Sequence, residues 1–453
     1  MTLSFLTYKF MLRSFKNILC LLFVVAGIPQ VEAFSLLGPK EVWQLPSIGF
    51  EDNEIGGSRN IGDEYRINTP VITYAFHPSF VDYFGTNGMK AVDQAIAILN
   101  KLPRVSKASA DLSEFLTDDA IRSHEYAGAL NLLDLKSVAL SVLLEHMGLS
   151  GEEHVFDLRI RSPLPGACNF NYLTIVRNFD PVTFGASRYV NGTTYSYEIF
   201  DSCPDPPGGE AVEFPVDPTD FTYTAVASFE ESPVIGSYIL NLTRDDFGGL
   251  RYLYRRNNYN EEALPTNAFP IVGGGPWQPV GPIVTNALST NTLAVRGGIE
   301  KVTYKKVKFD VPFGTDFRSR VLSYKLPRMT SSGVSSESVR RLVEFPDILF
   351  TAEDLTDPVP SASPFSNTPL TRQGNIFLEN PSPDDGPGVI IPQTVITFNK
   401  LGPFFENITP NFLYEESFQG FVWGSFDGTT NDPIVYPQGT LVEDIEDLVL
   451  QGN

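Results

Sequence analysis

The chain has 453 residues, 12% of them aromatic, and sets 33 Lys and Arg against 54 Asp and Glu for a formal net charge of −21. Such a surface repels nucleic acid and anionic lipid, so neither is expected as a partner. The aromatic content argues against a disordered chain, and the length suffices for two or three domains with real cores.

The first predicted element is an export signal. Lys9, Arg13 and Lys16 precede a short apolar run within residues 17–28, and Val31-Glu32-Ala33 has the form of a small-residue cleavage site. About eleven apolar residues are too few to span a bilayer. The expectation is a signal peptide over 1–33, a secreted, cell-surface or periplasmic protein, and no transmembrane anchor after cleavage. Residues 34–65 read as a polar lead with Trp43 and no periodicity.

A strand is predicted in V-I-T-Y-A-F-H-P-S-F at 71–80, with His77 at its end in a turn role. A helix follows over about 87–100, with Val92, Ala95, Ile96 and Leu99 on one face. Residues 101–136 show little strand patterning. A second helix starts at Asp134, a capping residue, and runs to Met147, where Gly148 stops it as the C′ glycine. Leu135, Val138, Leu140, Val142, Leu143 and Leu144 cover most of its circumference, which predicts a central position.

From Val155 onward the pattern changes to short strand-like runs, among them 172–176 and 194–200. Cys168 and Cys203 remain after the signal takes Cys20 with it, and an even pair in an oxidising compartment reads as a disulfide. Asp245-Asp246 reads as the capped start of a helix carrying Leu250, Leu253 and Tyr254. Residues 261–282 have the Pro/Gly composition of a linker. Strands are then predicted at 300–310, 321–325, 339–344, 348–351, 389–398 and 420–425, which suggests an all-β sandwich or barrel over 283–453. Lys301 to Arg341 is the one basic stretch. On alternating strands it would make a positive face for the acidic first half or a surface polysaccharide; the plainer account is edge protection. Asn191, Asn241 and Asn407 each begin an N-x-T glycosylation acceptor.

The predicted central helix contains V-A-L-S-V-L-L-E-H-M-G-L at 138–149. It resembles the zinc helix of metzincin peptidases, V-A-L-H-E-x-G-H-x-L-G-L, in which two histidines one turn apart hold the metal beside a general-base glutamate. Ser141 stands at the first histidine, Val142 at the glutamate and Glu145 at the second histidine, while Gly148 is kept. The strand and helix at 71–100 and L-T-R-D-D-F-G-G-L-R-Y-L-Y at 242–254 also resemble the matrixin branch of that group. The resemblance implies a zincin-like α+β domain over 66–260, with its zinc motif degenerate. A matrixin would place further strands between the two helices, and a methionine where 232–238 has none.

A second frame lays His124, Glu125, Gly128 and Asp134 on H-E-x-x-H-x-x-G-x-x-D. It keeps a first ligand, a base and a carboxylate ligand, and lacks the second histidine at Gly128. His146 or His154 could complete the set. The plain alternatives are a His-Glu pair on a solvated helix and, for His146, a cation at a helix C-terminus. No G-x-S-x-G and no Cys–His pairing occurs in the sequence. The reading is an exported, non-catalytic protein without a cofactor: a degenerate matrixin-like domain joined to a β-rich module for binding or assembly with a protein or polysaccharide. The alternatives are a zinc metalloendopeptidase with an atypical site and a structural surface or extracellular-matrix component.

Overall fold

The run V-I-T-Y-A-F has no alternation of polar and apolar residues, the composition of a strand covered on both faces. The structure, a computed structural model, places it so. It describes residues 33–39, 56–116, 120–151, 156–160, 171–190, 192–202, 208–219, 226–227, 229, 235–271, 293–309, 318–354, 365–369, 376–377, 387–400 and 422–451. The fold mixes helices and strands in the α+β manner expected. Its first half contributes β1 (Phe34–Gly38), β2 (Val71–Phe76), α1 (Pro78–Lys101), α2 (Glu125–Ala129), β3 (Leu132–Asp134), α3 (Leu135–Glu145), β4 (Thr193–Ser202), β5 (Gly208–Pro215), β6 (Ser237–Ile239) and α4 (Arg244–Tyr254). The second half adds β7 (Thr303–Lys306), β8 (Arg320–Thr330), β9 (Gly333–Val343), β10 (Ile348–Glu353), β11 (Phe365–Pro369), β12 (Thr394–Asn399), β13 (Val422–Ser425) and α5 (Val442–Gln451).

The central sheet has the order β7-β2-β10-β12-β11. Within it β2 pairs in parallel with β7 and β10, β10 pairs in parallel with β12, and only the edge strand β11 runs antiparallel. Against one face packs α1, and α3 lies on α1, β6 and β13. Val92, Ala95, Ile96 and Leu99 of α1 are all buried, as their spacing predicts. Phe76, Phe80, Phe84, Phe350, Phe398 and Trp423 interlock there, with the Phe80 and Phe84 rings 4.7 Å apart. On the other face Ala75, Val307 and Leu349 form a smaller cluster.

Strands from both sides of the expected linker thus share one sheet and one core, and residues 32–453 form a single compact unit. The boundary expected at 261–282 does not separate two cores, and 283–453 is not a self-contained all-β sandwich or barrel. The physical reason is long-range parallel pairing, which needs a crossover and leaves no local turn signal. Residues 303–306, 348–353 and 394–399 supply the parallel neighbours in this sheet.

Two further expectations are corrected. The lead at 34–65 is not merely polar: Phe34, Leu36 and Leu37 of β1 are buried in the main core. The cations of 301–341 do not gather on one face. Arg341 is buried in a two-pronged pair with Asp347, Arg328 meets Glu337, and Lys301 donates to the carbonyls of Asn100 and Leu102 at the end of α1. Asp347 in turn accepts from the Thr73 N–H (2.7 Å) and hydroxyl (2.9 Å), which locks β2, β9 and the start of β10 together. No helix among the described residues is long and apolar enough to cross a membrane.

Candidate functional site

The α3 helix starts where the sequence says it should. Asp134 is its N-cap, and its Oδ2 accepts from the Ser137 N–H at 3.1 Å and from the Ser137 hydroxyl. Asp134 is fully buried, and that burial pushes its carboxyl above the usual range against the pull of Lys136 and Ser137. The six apolar residues of the helix are wholly buried, so its central place is as predicted. At the far end Leu149 N–H donates to Leu144 O and Gly148 N–H to Glu145 O, the bond pair of a Schellman motif. Gly148 has φ +99°, and a Cβ there would meet Tyr65 O at 2.2 Å, so both conformation and space demand glycine.

Ser137 and Ser141 lie one turn apart on the same side of α3, and both hold backbone from the 226–239 stretch. Ser137 Oγ accepts from the Ile239 N–H at 2.8 Å, and Ser141 Oγ donates to Ala227 O at 2.7 Å. Ala227 is then fixed from its other side: its N–H donates to Asp246 Oδ1 at 3.0 Å, and the Val226 N–H to Oδ2 at 3.2 Å. Asp246 also closes a capping box with Thr243 at the start of α4. Burial pushes the Asp246 carboxyl up, against these hydrogen bonds. The face of α3 that carries Ser141 is therefore sealed by peptide backbone held between two helices. Val142, at the position of the resembled general base, is wholly buried among apolar neighbours; Glu145 is half-buried.

His146 is the C-cap of α3, and its side chain is fully buried with Nε2 3.1 Å from Thr394 Oγ1. Burial lowers its pKa to about 4, so at neutral pH the ring is uncharged. The expected cation at a helix C-terminus is thus corrected to a neutral histidine inside the core.

The second frame does not assemble a metal site among the described residues. His124 caps α2, its Nδ1 accepting from the Ala127 N–H at 3.1 Å, and its ring lies against Phe426. Glu125 is exposed in the first turn of α2, and Asp134 is engaged at α3. Gly128, where this frame lacks a histidine, lies against the turn at 235–236: its Cβ would sit 3.8 Å from Gly236 Cα. No group of three or more His, Cys, Asp or Glu among the described residues is arranged to hold a metal ion. Of the described candidates, His124 Nδ1 and Asp134 Oδ2 each accept from a backbone N–H, and His146 Nε2 faces the Thr394 hydroxyl.

His154, Cys168, Cys203, Asn191 and Asn407 lie outside the described residues. Asn241 is exposed, its Oδ1 accepting from the Leu242 N–H, while Thr243 of the same acceptor pattern is the buried cap of α4. His77 caps α1 through Nδ1, 3.2 Å from the Ser79 N–H, in keeping with a turn role. Sequence reasoning missed Ala227 and the second task of Asp246. The Asp-Asp pair signals a cap, but a main-chain carbonyl as the partner of Ser141 leaves no mark in residue type.

No protein-family model matches the chain, and neither the curated proteins nor the solved structures contain a significant match.

Proposed function

We propose that the protein is a non-catalytic relative of matrixin-like peptidases, an exported scaffold in which the metal-facing side of the central helix has become part of the core. One observation carries this reading. At the position of the first zinc ligand, Ser141 is spent on the Ala227 carbonyl, and Asp246 holds that same peptide segment from behind. A metal ligand needs a lone pair directed at an open coordination position. Here the direction is closed by main chain.

The shared core supports the same reading. Sheet strands drawn from 303–306, 348–353 and 394–399 complete what the short 101–136 interval lacks, so the helices keep a packed sheet. Loss of active-site residues commonly leaves a fold intact or firmer, because such residues are costly to stability. The reading implies no resident cofactor and a role in binding or assembly. Its test is the metal content and endopeptidase activity of the purified mature chain, before and after His124→Ala. Absence of stoichiometric zinc and of chelator-sensitive cleavage is expected; zinc that His124→Ala removes, together with such cleavage, overturns it.

A further inference from the structure

Two antiparallel hairpins leave one face each to solvent, and the two faces carry opposite charge in the same arrangement. In β4–β5 the register pairs Ser196 with Phe214, Glu198 with Val212 and Phe200 with Glu210. The alternate residues Tyr195 and Ala211 are buried in a small cluster with Phe156, Leu158 and Val190, which fixes the other set as outward, although Ile199 opposite Ala211 is 42% exposed. Outward and exposed are Phe200 (56%), Val212 (41%), Phe214 (39%) and Val216 (60%), with exposed Glu198 between Phe200 and the last two. Residues 189–243 contain no Lys, Arg or His.

The hairpin β8–β9 repeats the pattern with the sign reversed. Leu326 and Val339 point into a cluster with Leu264 and Ala268, and Arg341 into its buried pair. The outward set then includes Val321, Ser323, Lys325, Met329, Val334 and Arg340, with Pro327, Ser336, Ser338 and Leu342. Val321 (49%) lies at one end and Met329 and Val334 (57%) at the other, with Lys325 and Arg340 between them and no acid on that face of the hairpin; the exposed acid on this face of the sheet, Glu261, lies two strands away beyond Val295. Each face is thus an apolar–charged–apolar stripe about 20–27 Å long at ~3.4 Å per residue.

We propose that these two faces bind one another between copies of the chain, the acidic β4–β5 face of one docking on the basic β8–β9 face of the next. Exposed apolar stripes of this kind mark interaction surfaces. The charges select the pairing. An acidic face on its own copy sets Glu198 against Glu198, and a basic face on its own copy sets Lys325 and Arg340 against themselves, whereas the mixed contact pairs opposite signs. A contact between different faces is heterologous, so it propagates into a ring or an open filament instead of closing as a two-fold dimer. The inference goes beyond the non-catalytic reading and stands without it, since an enzyme could also assemble in this way.

The experiment is sedimentation of the mature chain over a concentration series at about 0.15 M salt, where charges farther apart than ~8 Å are screened. The native chain should show a mass that climbs with concentration past about double the monomer. Glu198→Lys makes both faces basic, and Lys325→Glu with Arg340→Glu makes both acidic; each variant alone should stay monomeric. Mixed in equal amounts, the two should associate again, because each supplies the face that the other has lost. Recovery on mixing also shows that both variants are folded. A native chain that remains monomeric overturns the proposal and leaves these faces to some other partner. So does assembly that survives in both variants, or folded variants of unchanged melting temperature that fail to associate when mixed.

Discussion

Ser141 Oγ lies 2.7 Å from the carbonyl oxygen of Ala227, to which it donates, across 86 residues of sequence. Neither residue is exposed, and the bond fastens the middle of the central helix to a peptide segment that Asp246 grips from the other side. Ser141→Ala removes the donor and leaves a buried carbonyl short of a partner. The expected cost is about 1–3 kcal/mol, the usual penalty for an orphaned buried polar group. Urea denaturation measures it through the midpoint at constant slope. An unchanged midpoint would mean that the segment at 226–239 is not held through this bond.

Rebuilding the resembled zinc motif gives the opposite outcome from simple restoration. Ser141→His, Val142→Glu and Glu145→His place two larger polar side chains into a packed helix face, and the added volume alone costs about 1–3 kcal/mol. Burying a glutamate at Val142 without a partner adds to that. The triple variant should lose stability and gain no stoichiometric zinc. Gly128→His, the matching repair of the second frame, has room for its Cβ at 3.8 Å from Gly236 Cα, and should gain no stoichiometric zinc because Asp134 stays bound to Ser137. Zinc-dependent stabilisation of either variant would show an open site that the packing denies.

Asp347 makes the shared core testable. It accepts two bonds from the buried Arg341 guanidinium and two from Thr73, so Asp347→Ala strands a buried cation and costs about 3–5 kcal/mol. Because β2 and β10 are adjacent, fragments 34–265 and 283–453 expressed separately should not melt cooperatively, while the co-expressed pair should. Independent cooperative melting of both fragments would restore the two-domain division.

The helices were legible in the sequence and the sheet was not. Val92, Ala95, Ile96 and Leu99 announce one face of α1, and Asp134 and Gly148 mark the ends of α3, because caps and periodicity are local. The segment 348–351 reads as a strand, but nothing within it says that its parallel partner is 71–76. Arg341 looks like one of several surface cations until Asp347 is found folded against it. Phe34, Leu36 and Leu37 sit in a five-residue strand, too short a pattern to be legible. At the site, the departures of 141, 142 and 145 from the resembled motif are legible as residue types, whereas the Ala227 peptide held by Ser141 is not.

His146 supplies a dependence on pH whose sign is fixed. Its pKa falls from 6.5 to about 4 on folding, so the unfolded chain takes up the proton first. The contribution is complete above pH 6.5 and is lost as pH falls toward 4, by about 3 kcal/mol at ~1.4 kcal/mol per unit. The buried carboxyls of Asp134 and Asp246 are shifted up and act in the contrary direction, so the comparison must be with a variant. His146→Gln, which cannot titrate, should show a shallower fall in stability between those pH values. Identical slopes for the two proteins would place a charged or hydrated His146 in the folded state.

The central claim is that the ligand face of α3 is closed, and zinc stoichiometry measures it most directly. Mature protein, purified without chelator and exposed to excess zinc before desalting, should retain no stoichiometric metal by elemental mass spectrometry and cleave no unfolded protein substrate. Stoichiometric zinc that His124→Ala abolishes, with proteolysis that a chelator stops, would contradict the account and make the chain an active metallopeptidase.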